Sequence, residues 1–496
     1  MPTQFMRLGY DAYTLDEENF YNLTADGTPA GKPIGWNVDV RLNYYRGMPL
    51  SSVEALELSV DGRRVPEEKL RFRIHGKAFA VADLKELWAE NWALREAAHL
   101  EAFDGGLSPG EHTVELTLHV RNVYMRFAPR VYGKVDAGAV KTMALKRGPS
   151  RVPKLMPAPD LAVRQIGVDG VGGIDFGISL YGFTERLYGD GAYGLEGMFQ
   201  DLVRLGVKKF ETIGAQVFPG YPYVTDAEAA EFRALAEKYG LEPFSYGAYV
   251  DYGVHSDRDL TDEEIVASVT LELETAKRLG CSYVRGGSMP AHLWPRLARI
   301  AEERGVRLGY EVHAPETPTT PHILEMARMF EEIDSPFVGF IPDFGCFIER
   351  PNRISIERLL AQGAKREILD FIIANRWNGY TFETMNAKVE ELGGGLAEKL
   401  AVGQWFGFMS FQPADVDGFA RILLKRTLYF HGKFYHIDED LKETTIPYEA
   451  LLQRIVASGF RGVLLTEYEG HAFQRNDAVQ QIARHLAMER EILERL

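Results

Sequence analysis

From residue 174 onward the chain alternates between two patterns. A short apolar run closes in polar residues, and a longer stretch with helical spacing follows. Eight such runs occur: "IDFGISLYGF" (174–183), "KKFETIGAQ" (208–216), "LEPFSYGAYV" (241–250), "CSYVRGGS" (281–288), "RLGYEVHAP" (307–315), "VGFIPDFG" (338–345), "TLYFHGKFY" (427–435) and "GVLLTEYEG" (462–470). Brief apolar runs alternating with helix-length intervals read as strands joined by crossover helices. One helix is well marked. "TDEEIVASVTLELETAKRLG" (261–280) opens with Thr261 and Glu264 in capping-box spacing, repeats apolar Ile265, Val269, Leu273 and Ala276, and ends at Gly280. Eight strand–helix units in series predict a (β/α)₈ TIM barrel, with a doubly wound open sheet as the competing arrangement. The stretch 346–426 is far longer than one crossover helix needs. It follows the C-terminal end of a strand, so the expectation is a lid over the barrel mouth.

The first 135 residues have a different rhythm. "VEALELSVDGRRVPEEKLRFRIHG" (53–76) reads as strand, Asp-Gly turn, strand, and "HTVELTLHVRN" (112–122) alternates with period two. "KELWAENWALREAA" (85–98) is expected to be a short helix between them. A mostly antiparallel β-sandwich is predicted over 1–135, a Pro-rich linker over 136–165 and the barrel over 166–496.

Bulk properties narrow the function classes. A net charge of −15 opposes a dedicated nucleic-acid binder, which needs a basic face. Two cysteines, Cys281 and Cys346, provide neither a disulfide framework nor zinc-finger spacing. The N-terminus lacks the apolar core of a signal peptide, and no apolar run reaches the ~18 residues of a membrane span. The expectation is a soluble, cytoplasmic protein without nucleic-acid or membrane partners.

In a barrel, polar residues at the C-terminal strand ends face the mouth, where catalysis takes place. The second strand ends with Glu211 and Gln216, and the fourth carries Arg285. The fifth offers Glu311 and His313, the sixth Asp343, the seventh His431 and Lys433, and the eighth Glu467, Glu469 and His471. Glu311 and His313, two apart on a strand, share a face. Strands five to eight thus deliver Glu, Asp, His and Glu. Three carboxylates and an imidazole suit a divalent ion, Mn²⁺ foremost, with Mg²⁺, Co²⁺ and Zn²⁺ also compatible. For a single strand-end carboxylate such as Asp343, a capping role is the alternative. Two motifs are chance matches: "DFG" (343–345) lacks any accompanying kinase element, and "GDGAYG" (189–194) stands too far past its strand for a dinucleotide site.

With these strand ends in hand, the barrel resembles the xylose-isomerase-like sugar isomerase/epimerase superfamily. That resemblance implies metal ligation by Glu311, Asp343, His431 and Glu467, with Glu469 a rival on the same face. A closer similarity is to the barrel subunit of bacterial C-glycoside deglycosidases, carried by "FGISLYGFTE" (176–185), "PGYPYVTD" (219–226), "YGVHSDRDLTDEE" (252–264), "EVHAPETPT" (311–319), "GFIPDFGCF" (339–347) and "TEYEGH" (466–471). The N-terminal region, through "NVDVRLNYYRGMPLSSVEALELSVDG" (37–62), resembles the small β-sandwich subunit of the same enzymes, so two ordinarily separate chains look fused.

The resemblance implies lyase-type cleavage of a 3-oxo-C-glucoside that a separate oxidoreductase has produced. It also implies removal of the C2 proton, stabilisation of the enolate and elimination of the aglycone. On that footing His313 is the expected base. Lys433 and His471, and less directly His436, are expected to protonate the aglycone or orient the sugar. Gln216, Arg258 and Arg285 are expected on sugar hydroxyls, and Phe218, Tyr221, Tyr223 and Trp405 are candidates to stack on the aglycone. A homo-oligomer is expected. The alternatives are an isomerase, epimerase or dehydratase of free sugars or inositols, an enzyme eliminating 3-oxo-O-glycosides, and a noncatalytic sugar- or aglycone-binding protein.

Overall fold

The computed structural model describes residues 5–27, 31–149, 170–189, 193–287, 289–407, 409–473 and 477–496. Most of the expected linker, and residues 190–192 of the glycine motif, therefore lie outside the described residues. Among the described residues no helix is long and apolar enough to cross a membrane.

The N-terminal region is a two-sheet sandwich. One sheet runs Phe5–Met6, Val131–Asp136, Glu111–Ala128, Val53–Val60, Arg63–Arg64. The other runs Leu15–Thr24, Pro33–Val40, Ala98–Ala102, Leu70–Ile74, Lys77–Ala80. Period-two alternation turns Leu56, Leu58, Val60, Leu116 and Leu118 inward against Trp36, Val38, Phe72 and Leu100. Two expectations are corrected here. Residues 85–98 are not a helix. A 3₁₀ turn (Val81–Glu86) leads to the short strand Asn91–Trp92, because Trp92 is buried edge-on against Phe72 and Arg95 adopts φ +70°, which an α-helix excludes. The sandwich also extends past 135. Ala139–Ala144, within the expected linker, pairs with the first part of Glu111–Ala128, its small residues hiding the alternation that buries Ala139 and Met143.

The eight expected strands all form, and they are labelled here β1 (Ile174–Ser179), β2 (Lys209–Ile213), β3 (Glu242–Gly247), β4 (Tyr283–Gly286), β5 (Arg307–Val312), β6 (Val338–Pro342), β7 (Phe430–Phe434) and β8 (Gly462–Tyr468). Their order is β6-β5-β4-β3-β2-β1-β8-β7, all parallel. The ring is near-closed by bridges Phe340–Thr427 and Asp343–His431 between the ends, which excludes the open sheet. The helix Asp262–Leu279 carries both halves of its capping box and stops at Gly280 with φ +87°. Between β6 and β7 the described residues include the helices Arg353–Ala361, Arg366–Asn375, Phe382–Glu391 and Leu396–Trp405, with short helical turns before and after them. Their apolar residues Leu369, Ile372, Met385 and Trp405 belong to the same continuous core as the barrel, and Arg358 Nη1 donates to Ala472 O at 2.8 Å.

The sandwich docks on the mouth loops that follow β1, β2, β3 and β8. Tyr188 donates to Tyr44 O, and Gly47 N to Ala215 O at 2.7 Å. Arg121 Nε donates to Gly253 O, and Gly253 N to Val123 O. A Cβ at Gly253 would lie 2.7–2.9 Å from the Tyr132 ring, so this approach needs glycine. Arg46, wholly buried, grips Asp251 with two bonds of 2.9 and 2.7 Å.

Candidate metal centre at the barrel mouth

Side-chain alternation and strand ends converge at the open rim of β5 to β8. Glu311 is the inward residue before the end of β5. Asp343 follows β6 and accepts Gly345 N on Oδ1 at 2.6 Å, which fixes the carboxylate and turns Oδ2 inward. His431 and Lys433 share the inward face of β7. Between them Gly432 faces out, where a Cβ would stand 2.6 Å from Glu489 Oε1 on the last helix. Glu467 is the inward residue of β8. One donor atom each from Glu311, Asp343, His431 and Glu467 falls within 4.8 Å of the others.

The donor set suits a divalent cation. Asp343 Oδ2, His431 Nδ1 and Glu467 Oε2 are buried and make no hydrogen bond, although ionic neighbours are close. Buried polar atoms without partners are uncommon, and three of them facing one point are what an ion of this ligand preference would satisfy. Glu467, not Glu469, is the β8 member. Glu469 instead accepts from Tyr181 Oη at 2.8 Å and lies 3.2 Å from Lys433 Nζ.

Positive charge surrounds the carboxylates. Arg285 Nη1 donates to Glu311 Oε2 at 2.7 Å, and His431 Nδ1 lies 3.0 Å from Glu311 Oε1. Burial alone would push the Glu311 carboxyl up, but Arg285 and His431 outweigh it and hold the group well below the usual range. Glu467 is likewise held far down against burial, by Lys433 and His431. Burial would lower Lys433, yet Asp343 at 2.7 Å and Glu467 and Glu469 at 3.2 Å keep its ammonium charged. Behind the centre, fully buried Glu211 accepts from Ser179 and Ser245 at 3.1 Å and from Tyr429 at 2.9 Å. Its Oε2 lies 3.3 Å from His431 Nε2, an outer partner that fixes the imidazole and leaves Nδ1 toward the cluster.

The remaining expected site residues divide. His313 is at the centre: Nδ1 donates to Ala314 O at 2.8 Å, so Nε2 carries the lone pair, 2.8 Å from Lys433 Nζ and 3.5 Å from Asp343 Oδ2. Arg285 and Lys433 are there as well. His471 is not in the cluster. It is buried against Tyr10 of the sandwich, whose hydroxyl meets Nδ1 at 2.5 Å, and burial pushes its pKa down to about 4. Gln216 holds the domain junction, donating to Tyr45 O at 3.2 Å and Thr184 Oγ1 at 2.7 Å. Arg258 is exposed and bound bidentately to Glu264, because the capping box brings that carboxylate to the loop. His436 pairs with Arg353 and Asp438 away from the centre. Phe218, Tyr221 and Trp405 are core residues, and Tyr223 is on the outer surface.

The sequence reading gave Glu211 a strand-end place without a role and missed Tyr10, Tyr45, Tyr124, Tyr181 and Tyr249. Period-two placement could have found Glu211. The tyrosines meet only when the sandwich docks.

Comparison with known proteins follows the same division. The family model for the C-glycoside deglycosidase beta subunit matches residues 10–124, and that for the xylose isomerase-like TIM barrel matches 199–488. The barrel is similar to a C-glycoside deglycosidase alpha subunit of Microbacterium trichothecenolyticum, 33% identical over 308 residues, covering 59% of this chain and 83% of that one. It is also similar to a 3'-dehydrocarminate deglycosidase alpha subunit of a Microbacterium species, 29% identical and covering 61% of this chain and 90% of that one. The sandwich is similar to a C-glycoside deglycosidase beta subunit of Arthrobacter globiformis, 33% identical over 113 residues, covering 22% of this chain and 86% of that one.

Proposed function

The chain belongs to the C-glycoside deglycosidase family, with alpha-like barrel and beta-like sandwich fused in one polypeptide, and from that premise we propose that it cleaves the carbon–carbon glycosidic bond of 3-oxo-C-glucosides. The observation that carries this reading is the convergence of Glu311, Asp343, His431 and Glu467 within 4.8 Å, with the His313 lone pair beside them.

A C-glycosidic bond has no bridging oxygen to protonate, so hydrolysis by paired carboxylates does not apply. A ketone at C3 makes the C2 proton acidic and opens an elimination. A divalent cation held by Glu311, Asp343, His431 and Glu467, Mn²⁺ foremost, would supply Lewis-acid stabilisation for the negative charge developing on the ketone oxygen. His313 Nε2 takes the C2 proton, its orientation set by the Nδ1–H bond to Ala314 O. The C1–aglycone bond breaks as the C1=C2 double bond forms, and the electron pair leaves with the aglycone carbon. The Lys433 ammonium, kept protonated by its three carboxylate neighbours, returns a proton to that carbon. Arg285 steadies Glu311 and donates from the β4 side. A C-glucoside carries no 3-ketone of its own, so a separate oxidoreductase acting on the sugar precedes this step.

The test supplies a 3-oxo-C-glucoside, its unoxidised parent, a matched 3-oxo-O-glucoside and free ketoses side by side. Aglycone release from the 3-oxo-C-glucoside and none from its parent is the expected result. Ketose interconversion without aglycone release would replace this reading with an isomerase.

A further inference from the structure

The seam of the barrel, between β6 and β7, runs through the candidate metal centre. These two strands meet through the bridges Phe340–Thr427 and Asp343–His431, and among the described residues no strand pairing between them follows the second bridge. On the other side of β7, Phe434 O accepts Glu469 N at 2.9 Å, beside β8. Successive carbonyls of a strand point to opposite neighbours, so the Lys433 carbonyl faces the seam, where the ladder has already ended. A buried carbonyl there needs a partner from elsewhere.

A side chain takes the place of the missing strand. Tyr448, the first residue of the helix Tyr448–Ala457, donates from Oη to Lys433 O at 2.7 Å. Its ring packs on Phe344, next to Asp343, with centroids 5.1 Å apart, so one tyrosine touches both sides of the seam. Because the Tyr448 proton goes to the carbonyl, His485 Nε2 at 2.7 Å donates to Tyr448 Oη, and His485 Nδ1 accepts from Thr466 Oγ1 at 3.2 Å. Thr466 Oγ1 in turn lies 3.4 Å from Glu489 Oε2. The His485 ring is also stacked on Phe434, with centroids 4.0 Å and planes 8° apart.

His485 and Glu489 are wholly buried on the last helix, Ala478–Arg495, against the outward face of β7 and β8. Burial pushes the His485 imidazole well down and the Glu489 carboxyl well up, so both are neutral. Apolar side chains would serve a contact that only needed packing, since buried polar groups cost free energy unless they are hydrogen-bonded. Here the polar groups are linked in series and end on one backbone carbonyl, that of the residue whose ammonium meets Asp343 and His313.

We propose that Tyr448, held by His485, is a positioning residue that closes the seam, fixes the backbone of Lys433 and so sets its ammonium against Asp343 and His313. The consequence for turnover rests on the deglycosidase reading, in which Lys433 protonates the leaving aglycone carbon. The placement of the ammonium does not.

The experiment uses the full chain. For spectroscopy it carries ¹⁵N-labelled lysine and is loaded with diamagnetic Mg²⁺, and the Lys433 ammonium resonance is identified by its absence from Lys433→Met. In Tyr448→Phe, which deletes one oxygen and keeps the ring, that resonance is expected to shift and to exchange its protons with water about tenfold faster, the scale of one lost hydrogen bond. His485→Leu is expected to move it in the same direction, and an unmoved resonance in that variant overturns the part assigned to His485. For turnover the chain is loaded with Mn²⁺ and given a 3-oxo-C-glucoside in deuterated solvent. The ratio of C2 hydrogen exchange to aglycone release is expected to rise about tenfold in Tyr448→Phe, with metal content unchanged. A purely structural tyrosine would lower the unfolding temperature and leave both readouts at their wild-type values. An unmoved resonance in Tyr448→Phe, or an unchanged ratio at normal metal content, therefore overturns the proposal. If the wild type releases no aglycone, the deglycosidase reading fails and the resonance alone decides: moved, it supports the positioning role, and unmoved, it overturns it.

Discussion

Lys433 Nζ donates to His313 Nε2 at 2.8 Å, and the same ammonium lies 2.7 Å from Asp343 Oδ2. The proposed base and the proposed proton donor are thereby held in contact at the rim of the candidate metal centre, one just past the end of β5 and the other on β7.

That pairing predicts different losses from the two side chains. His313→Ala removes the proton acceptor, and kcat for the 3-oxo-C-glucoside should fall about 10²–10⁴-fold, the range for one general base. Metal content should stay at the wild-type level, because the four donors are intact. Lys433→Met should lower kcat similarly while leaving C2 deprotonation measurable as exchange of the C2 hydrogen with deuterated solvent. Loss of exchange in Lys433→Met would assign the lysine to the first step.

The ligand set is tested by elemental analysis. Glu311→Gln and Glu467→Gln should each lose bound metal, whereas Glu469→Gln, whose carboxylate faces Tyr181, should keep it. Chelation of the wild type should abolish turnover and Mn²⁺ should restore it. Ligands bind deprotonated, so retention should also weaken toward acid pH. A Glu467→Gln variant with full metal content would transfer the β8 ligand to Glu469.

How much of this was legible in the sequence depends on how local each feature is. All eight strands and the 262–279 helix follow from periodicity and capping, which neighbouring residues settle among themselves. The ligand candidates followed because barrel topology fixes where strand ends point. Arg258 is held bidentately by the nearby capping glutamate, Glu264, a local pairing that strand-end reasoning does not address. Residues 85–98 failed because burying Trp92 outweighed a helical apolar spacing. The tyrosines of the domain junction were illegible for a stronger reason: Tyr45 and Tyr249 are far apart in sequence and meet through a docking that no local pattern encodes.

The Arg46–Asp251 clamp gives that docking an energetic scale. Arg46 is fully buried, and the Asp251 side chain is 20% exposed. Arg46→Met would strand a largely buried carboxylate at a cost of about 3 kcal/mol. Thermal unfolding should then separate into two transitions as the sandwich loosens from the barrel. Arg46→Met with Asp251→Leu should recover much of the loss. A single unshifted transition in Arg46→Met would mean that the other interdomain bonds suffice.

Glu272 predicts a pH dependence of stability. It is buried beneath the junction, accepts from Tyr221 Oη at 2.5 Å, and faces Tyr246, Asp251 and Arg46. Burial pushes its carboxyl up to about 7; the Tyr221 hydrogen bond, the neighbouring Tyr246 hydroxyl and Arg46 pull it back, and Asp251 adds to the rise. In the unfolded chain the same group titrates near 4.5. Between these values the folded state holds a proton that the unfolded state has released, so stability falls as pH rises through this window. The penalty is absent below the lower value and complete above the upper one, where it approaches roughly 3 kcal/mol. Glu272→Gln keeps an acceptor for Tyr221 and carries no charge, so its stability advantage over wild type should grow from pH 5 to pH 8. Denaturant unfolding of the two proteins across that range measures the difference directly, since every other titrating group cancels. A difference that stays flat would mean that Glu272 ionises as easily inside the protein as in water, with Arg46 close enough to offset its burial.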